Sequence, residues 1–127
     1  MKTIVLAYND TESSDRALER AAELAGLYRA KLVVTSIVPV LVGAERSSEQ
    51  SAELQLAQAR LADLEVDAEV VEAVGEIAEA IVEVAESRNA DLIVVGTREP
   101  SQVERLLGHS VSEGVQRMAH CDVLIVH

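Results

Sequence analysis

Residues 3–26 read TIVLAYNDTESSDRALERAAELAG, an apolar run followed directly by a helical pattern. The run TIVLAY lacks polar alternation and is rich in β-branched residues, as expected of a strand buried on both faces. Apolar residues then recur on one helical face from Ser13 to Ala25, and Gly26 is placed to end that helix. Ser13 and Ser14 are interpreted as its caps. This strand-then-helix unit predicts an α/β fold.

The same alternation repeats along the rest of the chain. Further apolar runs lie at 32–38, 91–96 and 123–126, and a fifth segment, 66–74, places polar residues between its first apolar ones, as an edge strand does. Helical stripes lie between them: Leu54, Ala57, Leu61 and Leu64, then Ile77, Ile81 and Val84, then Val111, Val115 and Met118. The order βαβαβαβαβ predicts a parallel sheet with helices on both faces and the four most apolar strands at its centre.

Composition limits the classes of function. The 127 residues, 49% of them hydrophobic, are expected to form one domain, 1–127. With 22 acidic and 11 basic residues, the net charge of −11 would repel nucleic acids and anionic membrane surfaces, so we expect neither as a partner. No cationic, apolar leader precedes the first strand, and no apolar run approaches the roughly 20 residues that cross a bilayer. We expect a cytoplasmic protein that binds proteins or small molecules.

Cysteine and histidine offer little chemistry in this sequence. The single cysteine, Cys121, cannot form an internal disulfide, and its place beside the run VLIV predicts a buried structural thiol. The histidines, His109, His120 and His127, are not at a metal-ligand spacing, so no structural zinc is expected. His120 is interpreted as the end of the last helix. No Ser, His and acid form a recognisable nucleophile motif.

Ligands of such sheets bind beyond the carboxyl ends of the strands, where the winding reverses. Two polar loops are predicted to meet there: YNDTES after the first strand and GTREPSQVERLLGHS, residues 96–110, after the fourth. In the second loop, Gly96 would let a ligand lie close, and Arg98 or Arg105 would meet a phosphate with a forked donor. Ser110 is a good N-cap for the following helix, whose free N–H groups would attract an anion.

A purely structural interpretation of the same loop stays open. Ser101 and Glu104 have capping-box spacing, so SQVERLL would form a short helix. Val103, Leu106 and Leu107 of that helix would then cover the end of the sheet.

Three blocks of the sequence resemble the universal stress protein family: IVLAYNDTESSDRALERAAELA, GEIAEAIVEVAESRNADLIVVGTRE and RLLGHSVSEGVQRMAHCDVLIV. They stand in the family's order and spacing and cover nearly the whole chain. The resemblance implies an open, Rossmann-like, five-stranded parallel sheet with strand order 3-2-1-4-5. It also implies a stress-response regulator that contacts other proteins, and a homodimer in which the last strands pair, here Val123, Leu124, Ile125 and Val126.

The family's ATP-binding members carry the signature Gly-x2-Gly-x9-Gly-Ser/Thr, and other members lack it and bind no ATP. Gly96 and Ser110 match its first and last positions, but Glu99 and His109 replace the other two glycines, with Gly108 one place early. A carboxylate about 5 Å from a phosphate charge costs roughly 3 kcal/mol at an effective dielectric near ~20. We therefore expect nucleotide binding to be weakened or lost.

The resemblance also implies where ATP or another adenine nucleotide would bind, in the cleft between the first and fourth strands. The matching residues are Ala7, Asn9, Ile37, Gly96, Thr97, Arg98, Gly108, Ser110 and Val111. Asn9 stands where the family has an acidic residue near the ribose, and its amide still hydrogen-bonds a hydroxyl.

Three functions stay open: a regulator without nucleotide, an ATP-binding switch, and a slow ATP hydrolase or phosphoryl-transfer enzyme. Nothing in the sequence plays the part of a Walker lysine or a paired-carboxylate magnesium site. We therefore expect a regulator that is not an enzyme.

Overall fold

The computed structural model describes residues 1–9, 11–38, 52–97 and 111–127. In these residues strands and helices alternate, as the sequence predicts, with the bounds β1 Thr3–Ala7, α1 Glu12–Tyr28, β2 Lys31–Val38, α2 Ala52–Asp63, β3 Glu69–Val74, α3 Ile77–Ser87, β4 Leu92–Gly96, α4 Val111–Met118 and β5 Asp122–Val126. Among these described helices, none has the length and apolar character needed to cross a membrane.

The five strands form one parallel sheet in the order β3-β2-β1-β4-β5. The α/β class and the strand order implied by the family resemblance are therefore confirmed. β5, however, lies at an edge, so the prediction that the four most apolar strands share the centre is wrong for this strand. Its residues 123–126 are half-buried, whereas the interiors of β1 and β4 are fully covered. One hydrogen-bonding side of β5 has no partner strand in the described part of the chain.

Two apolar clusters lie on the two faces of the sheet, because successive strand residues point to opposite faces. Even-numbered residues such as Leu6 and Val34 pack with α1 and α2. Odd-numbered residues such as Val5 and Ile93 pack with α3 and α4. Both faces are covered, which explains why the central strands are continuous apolar runs.

Three helices are followed, one or two residues after their last residue, by a non-glycine residue in the left-handed conformation: Arg29, Glu65 and Asn89 have φ of 53°, 56° and 51°. In each case the next residue donates its N–H to the carbonyl five residues back, at 2.9 to 3.0 Å, as in a Schellman motif. The prediction that Gly26 ends α1 is wrong, because the left-handed turn falls on Arg29. Leu64 lies past the end of α2 and is 42% exposed, so it is not part of the buried stripe predicted for it.

Candidate functional site

The two strand ends predicted to flank the ligand cleft are adjacent. β1 pairs with β4, with Ala7 opposite Val95, so the segments that follow them leave the sheet side by side. α1 then crosses one face of the sheet and α4 packs on the other. This is the switch point at which open α/β sheets bind ligands. The prediction that Asn9 and Gly96 follow or end neighbouring central strands is confirmed.

Gly96 makes a close contact with the first turn of α1. A Cβ at this position would lie 2.7 Å from the carbonyl carbon of Ser13 and 2.7 Å from the amide nitrogen of Ser14. No side chain fits there, because both neighbours are backbone atoms. Packing of strand against helix thus supplies one physical reason for glycine at this position. The approach of a ligand to Gly96 stays a prediction.

The turn between β1 and α1 is held by side-chain hydrogen bonds. Thr11 is the N-cap of α1, and its Oγ1 accepts the N–H of Ser14 at 3.1 Å. The interpretation of Ser13 and Ser14 as caps is therefore wrong; both are buried within the first turn. Ser14 Oγ instead accepts the N–H of Asn9 at 3.0 Å, and Asn9 Oδ1 accepts the hydroxyl of Thr11 at 2.9 Å. To bind a ribose hydroxyl, Asn9 would use its Nδ2 donor, or its Oδ1 would give up the hydrogen bond from Thr11 and accept one from the ligand.

A second network, which the sequence did not predict, lies on the other side of this turn. The hydroxyl of the buried Tyr8 donates to Asp15 Oδ1 at 2.6 Å, and Arg60 Nε lies 3.2 Å from the phenol oxygen and 2.9 Å from Asp15 Oδ1. Burial, and then the hydrogen bond to Asp15, raise the pKa of Tyr8 to about 12, so the phenol stays a donor at neutral pH. The network joins the end of β1 to α1 and α2. Its signal in the sequence was Tyr8, one of only two aromatic residues.

Thr97 is engaged with the end of β5. Its N–H donates to the carbonyl of Val126 at 2.9 Å, and its Oγ1 lies 3.1 Å from Nδ1 of His127. Arg16 of α1 donates from Nε to the carbonyl of His127 at 2.6 Å. A nucleotide contact by the Thr97 hydroxyl would therefore compete with His127.

The other predicted residues in the described part of the chain also lie at this edge. Ala7 and Ile37 are half-buried on the face that α3 and α4 cover. Val111 begins α4 and is half-buried against the same cluster. The predictions for Arg98, Gly108 and Ser110, for Glu99, Arg105 and His109, and for a short helix at 101–107 lie outside the described residues.

A buried hydroxyl without a partner lies close to this edge. Thr35 is opposite Ala7 in the sheet and is 0% exposed. By strand alternation its side chain is on the same face as Ile37, two residues further along β2. Its Oγ1 has no hydrogen-bond partner in the structure as described. An unsatisfied buried hydroxyl costs about 1–3 kcal/mol, so Thr35 is a weak point of the fold.

Charged side chains fasten the opposite, amino-terminal edge of the sheet. Glu69 at the start of β3 accepts Arg88 Nη2 at 2.7 Å and lies 3.0 Å from Lys31 Nζ. Hydrogen bonds from Arg88 and then Lys31 lower the pKa of Glu69 from 4.5 to about 2. Asp91 Oδ2 accepts the backbone N–H groups of Lys2 and Thr3 at 2.6 and 2.9 Å. These contacts tie β1, β2 and β3 to one another and to the turn that follows α3.

Two expectations about single residues near this edge need correction. Cys121 is half-buried rather than buried, because it belongs to the link before the edge strand β5. His120 is not the end of the last helix but lies two residues beyond Met118, where α4 ends. Within the described ranges, no group of three or more His, Cys, Asp or Glu is arranged to hold a metal ion.

The strand order and the switch point between β1 and β4 define an open, doubly wound α/β domain of the type that binds ligands beyond its strand ends. A family model described as the universal stress protein family matches residues 1–127. A solved universal stress protein in complex with cAMP is 32% identical, with a TM-score of 0.83 and coverage of 99% of this chain and 97% of that one. The chain therefore belongs to the universal stress protein family.

Two further relatives agree with this assignment. A universal stress protein structure from Archaeoglobus fulgidus is 25% identical, with a TM-score of 0.75 and coverage of 100% of this chain and 94% of that one. Universal stress protein MJ0531 of Methanocaldococcus jannaschii is 51% identical over 41 residues. That aligned stretch spans 32% of this chain and only 24% of the archaeal protein, so it is a local similarity.

Proposed function

We propose that this stress protein is a cytoplasmic regulator that acts as a dimer through contacts with other proteins. The observation that carries the proposal is the edge strand β5, whose apolar residues Val123 to Val126 are only half-buried. An apolar edge strand with an open ladder is prone to pair with another chain. Pairing of two copies of β5 across a two-fold axis would satisfy the open ladder and cover these side chains.

Replacement of Ile125 by Lys tests the dimer. A charge at the centre of the paired edges would be buried without a partner, so sedimentation should show monomers. Val74→Lys is the matched control, because Val74 lies in the other edge strand, β3, and should leave the dimer intact. Thermal unfolding of both variants establishes that they are folded. A folded Ile125→Lys variant that still sediments as a dimer would refute this interface.

Binding of an adenine nucleotide at the switch-point cleft is a second candidate function. It is favoured by the relative at 32% identity that was solved in complex with cAMP. We propose that Ala7, Asn9, Ile37 and Gly96 would contact the nucleoside. Glu99 and His109, in place of the signature glycines, would disfavour a triphosphate more than a single phosphate.

Calorimetric titration with cAMP, AMP and Mg-ATP tests this candidate. We expect affinity to fall as phosphates are added, and we expect Glu99→Gly with His109→Gly to restore part of the affinity for ATP. The single variant Glu19→Gln, on the exposed face of α1, serves as a control for the change in net charge. Flat traces with all three nucleotides at millimolar concentration would rule out nucleotide binding, and the regulator without nucleotide would remain as the proposed function.

We also propose that the protein is not an enzyme. The sequence offers no Walker lysine and no paired-carboxylate magnesium site to support phosphoryl transfer. Release of phosphate from ATP above the buffer background, abolished by Asn9→Ala, would instead support the third function, a slow ATP hydrolase.

A further inference from the structure

A cavity lies at the amino-terminal edge of the sheet, opposite to the switch-point cleft. Its volume is about 330 Å³, and it is formed by the second half of α3, the start of β4 and the link before β5. Val82, Ala85 and Ile93 in its lining are buried and apolar. Glu86 and His120 in its lining are exposed at the surface, with His120 Nδ1 at 3.5 Å from Glu86 Oε1. The cavity thus joins an apolar interior to a polar rim, as small binding pockets do.

Acidic side chains act on the thiol of Cys121, which lines this cavity. Burial raises the pKa of the Cys121 thiol, and the charges of Asp122, Asp91 and Glu86 raise it further. The thiol therefore stays protonated at neutral pH and is neither a thiolate ligand nor an activated nucleophile. The same carboxylates would stabilise a cation in the cavity.

An acidic stripe on α3, composed of Glu79, Glu83 and Glu86, leads along the helix to this cavity. Their spacing of four and three residues places them on one helical face, and all three are exposed. The carboxylates of Glu79 and Glu83 have neither an ion pair nor a hydrogen bond among the residues that the structure describes. Like charges at this spacing destabilise a helix, so a cationic partner would relieve their repulsion.

We propose that the acidic stripe and the cavity together form a docking surface for a basic segment of a partner protein. One Lys or Arg side chain would lay its hydrocarbon stem on the half-buried Ala90 and Cys121 and place its cation at Glu86. Neighbouring basic residues of the same segment would reach Glu83 and Glu79. The inference rests on the proposed role in protein contacts and specifies the chemistry of the partner.

Cys121 supplies a reporter at this surface, because it lines the cavity and is the only cysteine in the chain. The probe is a fluorescently labelled nona-arginine peptide, titrated at physiological ionic strength. We expect saturating peptide to slow alkylation of Cys121 by iodoacetamide about fivefold or more, after correction for the thiolate fraction from the pH dependence of the rate, because an inserted side chain excludes the reagent. Unchanged alkylation at saturation would overturn the proposal.

Paired charge reversals separate a defined surface from general attraction to an acidic chain. Glu83→Lys with Glu86→Lys should raise the peptide Kd about tenfold or more, since two attractive contacts become repulsive. These changes place positive charge near the carboxyl end of α3, where a helix favours it, so folding should be preserved. Glu19→Lys with Glu23→Lys, on exposed positions of α1, makes the same change in net charge and should alter Kd less than about twofold.

Two further results would overturn the proposal. Equal weakening by both double variants would show that the peptide responds only to the net charge of −11. Protection of Cys121 by spermine as complete as that by the peptide, at equal charge concentration, would assign the surface to small polycations. Sedimentation of Ile125→Lys reports the dimer independently, so the docking surface and the proposed dimer can each fail alone.

Discussion

The two edges of the sheet are stabilised by different kinds of contact. At the carboxyl edge, a backbone approach at Gly96 and hydrogen bonds through Thr11 and Tyr8 fix the turn after β1. At the amino edge, left-handed helix ends and the ion pairs of Glu69 join the elements. At the carboxyl edge Tyr8, Ser13 and Ser14 are buried, whereas at the amino edge Lys31 and Asp91 are exposed to solvent. Disruption of the carboxyl edge should therefore affect stability more than disruption of the amino edge.

Gly96→Ala should cause the largest loss. The added methyl group would lie 2.7 Å from backbone atoms of Ser13 and Ser14, so α1 must move away from β4. We expect the free energy of unfolding to fall by about 3 kcal/mol, the upper part of the usual range for overpacking. Urea denaturation measures this change. Gly26→Ala is the control, because no atom lies within 4 Å of its added Cβ, and it should increase stability by about 0.5–1 kcal/mol. A neutral Gly96→Ala would contradict the close contact.

Tyr8→Phe should have the next largest effect. It removes the buried hydroxyl that donates to Asp15, although Arg60 remains paired with that carboxylate. We expect a loss of about 1–2 kcal/mol in the free energy of unfolding, as for a hydrogen bond to a charged group. Tyr28→Phe is the matched control, since Tyr28 is exposed at the end of α1, and it should change nothing. An equal change in the free energy of unfolding in both variants would show that the Tyr8 hydroxyl does not stabilise the carboxyl edge.

Thr35→Val should act in the opposite direction and increase stability. Valine has nearly the same shape as threonine and removes the unsatisfied hydroxyl. We expect a gain of about 1 kcal/mol in urea denaturation. Thr11→Val, at a threonine whose hydroxyl caps α1, should instead lose about 1 kcal/mol. A destabilised Thr35→Val variant would show that its hydroxyl has a partner after all.

Glu69 should give the smallest effect, visible through pH. Its folded pKa, about 2, is below the usual 4.5, so its contribution to stability is fully present above pH 4.5 and is lost as pH falls towards 2. The Glu69 side chain is 33% exposed and solvent screens the pair, so we expect about 1 kcal/mol or less. The difference in unfolding free energy between the protein and Glu69→Gln should shrink between these pH values. A constant difference would show that the ion pairs do not stabilise the fold.

Several elements could be predicted from the sequence because their signals are local. The apolar runs of β1, β2 and β4 are continuous because both faces of the sheet are covered, and the helices between them show one-sided stripes. The family resemblance then supplied the strand order, which local patterns do not contain. For the same reason β5 was wrongly predicted to lie at the centre of the sheet. An apolar strand has the same sequence pattern whether its second neighbouring strand comes from the same chain or from another.

The candidate site was predictable only in outline. Asn9 and Gly96 could be placed together because the carboxyl ends of neighbouring parallel strands meet at one edge. The Tyr8 network could not be predicted, since Arg60 lies 52 residues further along the chain than Tyr8. The unsatisfied hydroxyl of Thr35 could not be predicted either, because packing of distant segments decides whether a buried hydroxyl meets a partner.

By itself, the sequence determined which segments are strands and helices, since the period of apolar residues and the turn residues act within a few positions. Only the tertiary structure decided which of Thr11, Ser13 and Ser14 caps α1, and that the helix ends at Tyr28 rather than at Gly26. Ser13, Ser14 and Gly26 are each locally suited to the role predicted for them. The contact between Gly96 and the first turn, made across 82 residues of chain, buries Ser13 and Ser14 and leaves the cap to Thr11.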